Sequence, residues 1–159
     1  MGIVPKDNGR SRPTALQRRK GTSTPERSDT RMSQQMGSIA VVDDDESVRR
    51  ALARLLRAAG FDAIAFPSGE ALLGSGRYAS FPCAVLDIRL GGMSGLEVAR
   101  VLTTVTPRVE VIMMTAEDTP ENRDQATRLG CVAFFAKPFD GQEMLDAIRL
   151  ATAMRAGSH

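Results

Sequence analysis

The sequence predicts an α/β domain: a three-layer αβα sandwich built on a five-stranded parallel sheet. Two patterns carry this prediction. Five short apolar runs of strand length alternate with five segments whose apolar residues recur at helical spacing. All the runs but the second are continuously apolar, as strands covered on both faces are. Right-handed crossovers between such strands place helices on both sides of the sheet.

The elements follow in order. Ser38 to Val42 reads as the first strand and runs into Asp43-Asp44-Asp45-Glu46. Val48, Ala51, Leu52, Leu55, Leu56 and Ala59 then keep the spacing of an amphipathic helix, with Asp45 as its N-cap and Gly60 as its stop. Ala63 to Phe66 is a shorter second strand, and Ser68 caps a short helix over Glu70 to Leu73. Cys83-Ala84-Val85-Leu86 runs straight into Asp87, and the glycine-rich loop Ile88 to Gly95 follows. Ser94 caps the next helix, whose expected stripe is Leu96, Ala99, Leu102 and Thr103, closed by Pro107. Val111 to Met114 is the fourth strand and leads into Thr115-Ala116-Glu117-Asp118. Thr119-Pro120-Glu121 has the form of a helix start, with a cap residue before a proline at the first helical position. That helix is weakly amphipathic, with Ala126 and Leu129 nearly its only core residues before Gly130. Cys131 to Ala136 is the fifth strand, ended by Lys137-Pro138, and a last helix over about 140–154 buries Met144, Leu145, Ile148 and Ala151.

Length and composition bound what this chain does. Its 159 residues suffice for one domain, and its 42% hydrophobic and 25% charged residues are ordinary for a soluble protein. No apolar run reaches the roughly 18 residues of a membrane helix, and the N-terminus lacks an apolar signal region. A cytoplasmic protein without a membrane partner is expected. Cys83 and Cys131 read as buried thiols, and the only histidine is His159, which excludes zinc sites and histidine-based triads. Residues 1–36 hold eight Lys/Arg against three Asp/Glu and few aliphatics, whereas residues 37–159 hold thirteen against sixteen. The first segment reads as a disordered basic extension, residues 37–155 as the folded domain and residues 156–159 as a frayed end.

Four strands end in polar groups: Asp43-Asp44, Asp87, Thr115 and Lys137. A parallel sheet brings these ends to one edge, where open α/β folds bind their ligands. Oxygen donors without histidine or cysteine suit Mg²⁺, and a carboxylate, Mg²⁺, a lysine and a hydroxyl together suggest phosphoryl transfer to aspartate.

These residues also carry a resemblance. Val41-Val42-Asp43-Asp44-Asp45, Leu86-Asp87-Ile88-Arg89-Leu90 with Met93-Ser94-Gly95, Met114-Thr115-Ala116-Glu117 and Ala136-Lys137-Pro138-Phe139 resemble the receiver domain of bacterial two-component response regulators. The segment from Gly92 to Glu97 is most similar to the nitrogen-fixation regulator branch, although that branch usually has proline where Gly91 or Gly92 stands. The resemblance implies the flavodoxin-like strand order 2-1-3-4-5 of chemotaxis-regulator-like folds. It implies that Asp87 is the phosphoacceptor and that Asp43, Asp44, Asp87 and the Arg89 backbone carbonyl hold Mg²⁺. Thr115 and Lys137 would bind phosphoryl oxygens, the Lys137-Pro138 bond would be cis, and Thr115 with Phe134 would form the switch, its neighbour Phe135 leaving the register of that strand to be checked. Arg89 and Glu117 would flank the site and tune phosphoryl lifetime. The implied partners are a sensor histidine kinase or histidine phosphotransfer protein and a downstream protein target, with phosphorylation-favoured homodimers through the fourth and fifth helices and no direct nucleic-acid binding by the receiver.

The expected function is a phosphorylation-dependent signalling switch that promotes its own phosphoryl transfer and dephosphorylation and is otherwise not an enzyme. A stand-alone receiver is favoured over a fragment of a longer transcriptional regulator, because no output module follows Ala151. A haloacid-dehalogenase-type phosphohydrolase would want a second acid two residues after its nucleophile, and Arg89 stands there. A degenerate receiver that binds constitutively is disfavoured because every chemical position is filled.

Overall fold

The computed structural model describes residues 37–157. The basic extension expected over 1–36 and the last two residues of the expected frayed end lie outside the described residues. The elements are β1 (Ser38–Val42), α1 (Glu46–Ala58), β2 (Asp62–Phe66), α2 (Gly69–Gly74), a 3₁₀ turn (Tyr78–Ser80), β3 (Cys83–Asp87), α3 (Gly95–Leu102), β4 (Glu110–Thr115), α4 (Pro120–Arg128), β5 (Ala133–Ala136) and α5 (Gly141–Gly157). All strand pairs are parallel and the order is β2-β1-β3-β4-β5, the 2-1-3-4-5 arrangement of the prediction.

Side chains alternate between the two faces of each strand, and this divides the core in two. Ala40, Val42, Ala84, Leu86, Val111 and Met113 face the layer of α2, α3 and α4 with Leu72, Val98, Leu102 and Ala126. Ile39, Val41, Cys83, Val85, Ile112 and Met114 face the layer of α1 and α5 with Leu52, Leu56, Met144 and Ile148. The three inner strands are buried along their whole length apart from Ser38.

Several boundaries and faces differ from the sequence reading. The α1 stripe is rotated: Ala53 is buried where Ala51 was expected, and Ala51 is exposed on an open groove. In α3 the side chain of Val98 is buried, while Thr103 is only the half-buried C-cap, its hydroxyl bonded back to the Ala99 carbonyl. The 3₁₀ turn carries no apolar period and was not foreseen. β4 begins at Glu110, buried beside Arg108 at 3.6 Å. β5 starts at Ala133 rather than Cys131 and is half-exposed throughout, contrary to the expectation of cover on both faces. It is an edge strand, and the α4 above it buries only Ala126. α5 runs to Gly157, so Ala156 and Gly157 continue the helix.

One glycine positions the site. The Gly95 amide donates to the Ile88 carbonyl at 2.8 Å, folding the loop after β3 back onto the strand end. A Cβ on Gly95 would overlap the Asp87 carbonyl oxygen and crowd the Ile88 Cα. These are backbone atoms at the end of a central strand, so they have little room to move. The variant Gly95→Ala is expected to lose about 1–3 kcal/mol of stability, the usual cost of overpacking, measured by urea denaturation. A loss below the error of that measurement would mean the loop is free to shift.

Candidate functional site

Strand register brings the predicted groups to the carboxyl edge of the sheet. Val42 pairs with Leu86, so the next residues, Asp43 and Asp87, lie side by side at the ends of neighbouring strands. Thr115 pairs with Ala136, one residue before Lys137. Alternation then sorts them by face. Asp43 and Asp87 continue the parity of Val41 and Val85, toward the α1/α5 layer, and Lys137 continues that of Phe135 on the same side. Thr115 continues the parity of Met113, toward the α2/α3/α4 layer.

The acids and the lysine accordingly meet. Asp43 is fully buried and Asp87 is 5% exposed. The Lys137 ammonium donates to Asp43 Oδ2 at 2.7 Å and to Asp87 Oδ2 at 3.3 Å. Burial pushes the Asp87 carboxyl above its usual range, the Asp43 charge adds to this, and Lys137 opposes both. Burial pulls the Lys137 ammonium down, but its hydrogen bonds and charge contacts with Asp43 and Asp87 outweigh that and hold it above its ordinary value. Lys137-Pro138 is cis, as the resemblance implied.

Asp44 is exposed and completes an acidic cluster. One carboxylate oxygen each from Asp43, Asp44 and Asp87 lie within 4.8 Å of one another. The donors are all oxygens, with no imidazole or thiolate among them, which suits a hard divalent cation of the Mg²⁺ kind. Asp45 does not join them. Its carboxylate caps α1, accepting from the Ser47 amide at 2.9 Å and the Ser47 hydroxyl at 2.7 Å. Arg49 donates to the Asp43 carbonyl at 2.7 Å and ties the acidic loop to α1.

Thr115 is buried but turned away from the cluster. Its hydroxyl accepts from the Glu117 amide at 2.9 Å. Arg89 reaches across the mouth of the site, its guanidinium gripping Glu117 with three contacts of 2.7–3.1 Å, while its amide donates to Asp87 Oδ1 at 3.4 Å. Phe134 pairs with Met113 and packs in the α4 layer, whereas Phe135 packs in the α5 layer against Phe139, 6.1 Å between ring centroids. Of the two rings, Phe134 therefore shares a face with Thr115.

Two contacts escaped the sequence reading. Glu70 of α2 accepts from the Met93 amide at 2.9 Å and lies where a side chain on Gly92 would have to stand, so the loop with two glycines is tethered from α2. That hydrogen bond holds the Glu70 carboxyl below its usual range. Arg123 of α4 covers the Phe134 ring at 4.7 Å from the centroid. Neither pair has a short sequence separation or a motif that would announce it.

Comparisons with known proteins show the family of this fold. The family model described as "Response regulator receiver domain" matches residues 39–149. Nodulation protein W of Bradyrhizobium diazoefficiens is 38% identical over 72% of this chain and 50% of its own length. Transcriptional regulatory protein FixJ of Azorhizobium caulinodans is 34% identical over 74% of this chain and 56% of its own length. The chain thus spans about half the length of these curated relatives. Among solved structures, the BeF3-activated DrrB receiver domain superposes with a TM-score of 0.66 at 27% identity, over 72% of this chain and 95% of that one.

The raised carboxyl of Asp87 has a consequence for stability. An acid whose native pKa stands above its unfolded one adds stability below the unfolded pKa, and that contribution is lost as pH rises through the native pKa. At neutral pH the ionised Asp87 therefore works against folding in metal-free buffer. Asp87→Asn is expected to melt a few degrees higher than wild type at pH 7, with the difference shrinking as pH falls below the carboxylate range. An equal or lower melting temperature at pH 7 would contradict this account of the site.

Proposed function

Because the chain belongs to the response regulator receiver family, whose model covers residues 39–149, we propose that it is a phosphorylation-dependent switch of a two-component phosphorelay, with Asp87 as phosphoacceptor. A receiver is a signalling domain, and here its chemistry is confined to gaining and losing one phosphoryl group. The observation that carries the reading is the contact of Lys137 with the buried Asp43 and Asp87, with Asp44 beside them at the carboxyl edge of the sheet.

A sensor histidine kinase or phosphotransfer protein presents phosphohistidine. An Asp87 carboxylate oxygen attacks phosphorus in line, the P–N bond breaks, and its electron pair stays on the imidazole. The ammonium of Lys137, within reach of Asp87 at 3.3 Å, pairs with an oxygen of the transferred group. Asp43, Asp44, Asp87 and the Arg89 carbonyl would hold Mg²⁺. When bound, that ion neutralises charge on the phosphoryl oxygens. The Thr115 hydroxyl leaves the Glu117 amide for a phosphoryl oxygen, and Phe134, on the same face of the sheet, turns inward into the space it vacates. Dephosphorylation is hydrolysis of the acyl phosphate at the same site, with Arg89 and Glu117 at its mouth.

The donor has a surface to dock on. A groove of about 550 Å³ opens beside Lys137 between α1 and the start of α5, lined by Val48, Ala51, Leu55, Pro138 and Phe139. We assign it to the phosphodonor because it is an apolar groove that Lys137 itself lines. The output is a protein contact through α4, β5 and α5, where Leu150 and Met154 are exposed, including a phosphorylation-favoured homodimer. A cytoplasmic setting fits two free thiols, Cys83 buried and Cys131 half-buried. Among the described residues no helix is long and apolar enough to cross a membrane.

How the output is delivered has two readings. In one the receiver acts alone on a protein target. In the other it is the receiver segment of a longer transcriptional regulator, favoured by relatives about twice the length of the matched region. The mass of the native protein on an immunoblot separates them.

Incubation with acetyl phosphate and Mg²⁺ is expected to place one phosphoryl group on the wild-type chain and none on Asp87→Asn, read by intact mass. Incorporation at the wild-type rate in the variant would remove Asp87 from its role. Mg²⁺ alone is expected to raise the melting temperature, because it binds only the folded chain. Asp44→Ala should lose that response. A rise that survives in Asp44→Ala would move the metal elsewhere.

A further inference from the structure

The ring assigned to the switch carries a cation. Phe134 lies on the half-exposed edge strand β5, packed against the cluster that contains Ala126 of α4. The Arg123 guanidinium stands over that ring at 4.7 Å from its centroid. Arg123 does not reach there unaided. Its Nε donates to Asp118 Oδ1 at 2.6 Å and its Nη2 to Asp118 Oδ2 at 2.9 Å, a two-point grip that fixes the plane of the guanidinium. A guanidinium is planar and weakly hydrated, so it can meet a carboxylate along its edge and an aromatic ring on its face.

The same loop carries the other switch residue. Asp118 follows Glu117, whose amide holds the Thr115 hydroxyl and whose carbonyl accepts from the Asn122 side chain at 3.1 Å. The helix that bears Arg123 and Asn122 buries only Ala126. Its position therefore depends on these polar contacts more than on buried apolar area. If Thr115 moves, the loop that aims Arg123 moves with it.

We infer that Arg123, aimed by Asp118, is a latch that holds the Phe134 ring in its half-buried position and biases the chain toward its unphosphorylated conformation. The inference rests on reading the chain as a phosphorylation switch and adds to it a residue that sets the switching equilibrium. A contact present in only one of two conformations lowers the apparent affinity of any ligand that binds the other. An exposed cation on an aromatic face corresponds to about a two- to five-fold effect on such an equilibrium.

The probe is beryllofluoride at fixed Mg²⁺, with the midpoint read from amide NMR shifts around Thr115. Arg123→Ala is expected to reach half-saturation at about two- to five-fold lower beryllofluoride than wild type. Asp118→Asn should shift in the same direction, and Glu121→Ala, exposed on the first turn of α4, should not shift. Arg123→Leu keeps apolar cover over the ring without the charge and should behave like Arg123→Ala. In a Phe134→Leu background, Arg123→Ala should add little, because the two residues act as one contact. A wild-type response with an unshifted Arg123→Ala midpoint overturns the latch alone. A shift that persists undiminished without the Phe134 ring also overturns it. A wild-type chain that never responds to beryllofluoride overturns the phosphorylation reading, and the latch with it.

Discussion

Asp43 and Asp87 are carboxylates at the ends of adjacent strands, one fully buried and the other nearly so, and the Lys137 ammonium touches both. Burial, and the Asp43 charge beside it, disfavour the ionised form of Asp87, and Lys137 opposes them. The lysine supplies one positive charge against two negative ones, and Asp44 adds a third acid at the rim. The cluster as folded is therefore short of positive charge. That shortage is the physical basis for expecting a divalent cation, and it ties together three strands that meet only in the folded sheet. The register of β1 with β3 and of β4 with β5 has to be right for this compensation to exist.

The rest of the molecule grades away from this buried centre. β1, β3 and β4 are buried almost from end to end, and α1, α3 and α5 press several large side chains against them. α4 and β5 stand apart from this pattern, the helix with one buried residue and the strand half-exposed. Elements that move on signalling come from the low-stability part of a fold, where little apolar area must be uncovered. Here the polar contacts of Thr115, Glu117, Asp118 and Asn122 take the place of a core. Such contacts are each weak in water and are exchanged at little cost.

Much of this was legible in the sequence because it is written in local patterns. Apolar runs gave the inner strands, caps such as Asp45, Ser94 and Thr119 gave helix starts, and the strand order followed from the family resemblance. Asp43, Asp87 and Lys137 meet because they end parallel strands, which needs only the strand assignment, whereas Thr115 reaches the same edge but faces the other layer. What was not legible depends on packing between distant elements. The rotation of α1 that buries Ala53 and exposes Ala51 follows from how the helix rests on the sheet, since alanine at either position satisfies the periodicity. The half-exposure of β5 could not be read from an apolar run, because an edge strand and a central one can share the same composition. The Glu70–Met93 and Arg123–Phe134 contacts join surface residues of different elements, and long exposed side chains choose partners only once the backbone is placed.

The two faces of the sheet keep the acid–lysine cluster and the Thr115–Phe134 pair apart. Period-2 alternation sends Asp43, Asp87 and Lys137 toward the α1/α5 layer, and Thr115 and Phe134 toward the α4 layer. The proposed phosphoacceptor lies on one side, and Phe134, the ring of the proposed switch, lies on the other. Thr115 lies between them: it ends β4 next to Asp87's partner Met114 and yet belongs to the face of Phe134. In the fold as described its hydroxyl accepts from the Glu117 amide, so the Phe134 face is held by its own loop. A group that competes for that hydroxyl from the acidic side therefore acts on α4 without touching it. This separation leaves the acid–lysine cluster inside a buried part of the fold while the α4 and β5 face stays loosely held.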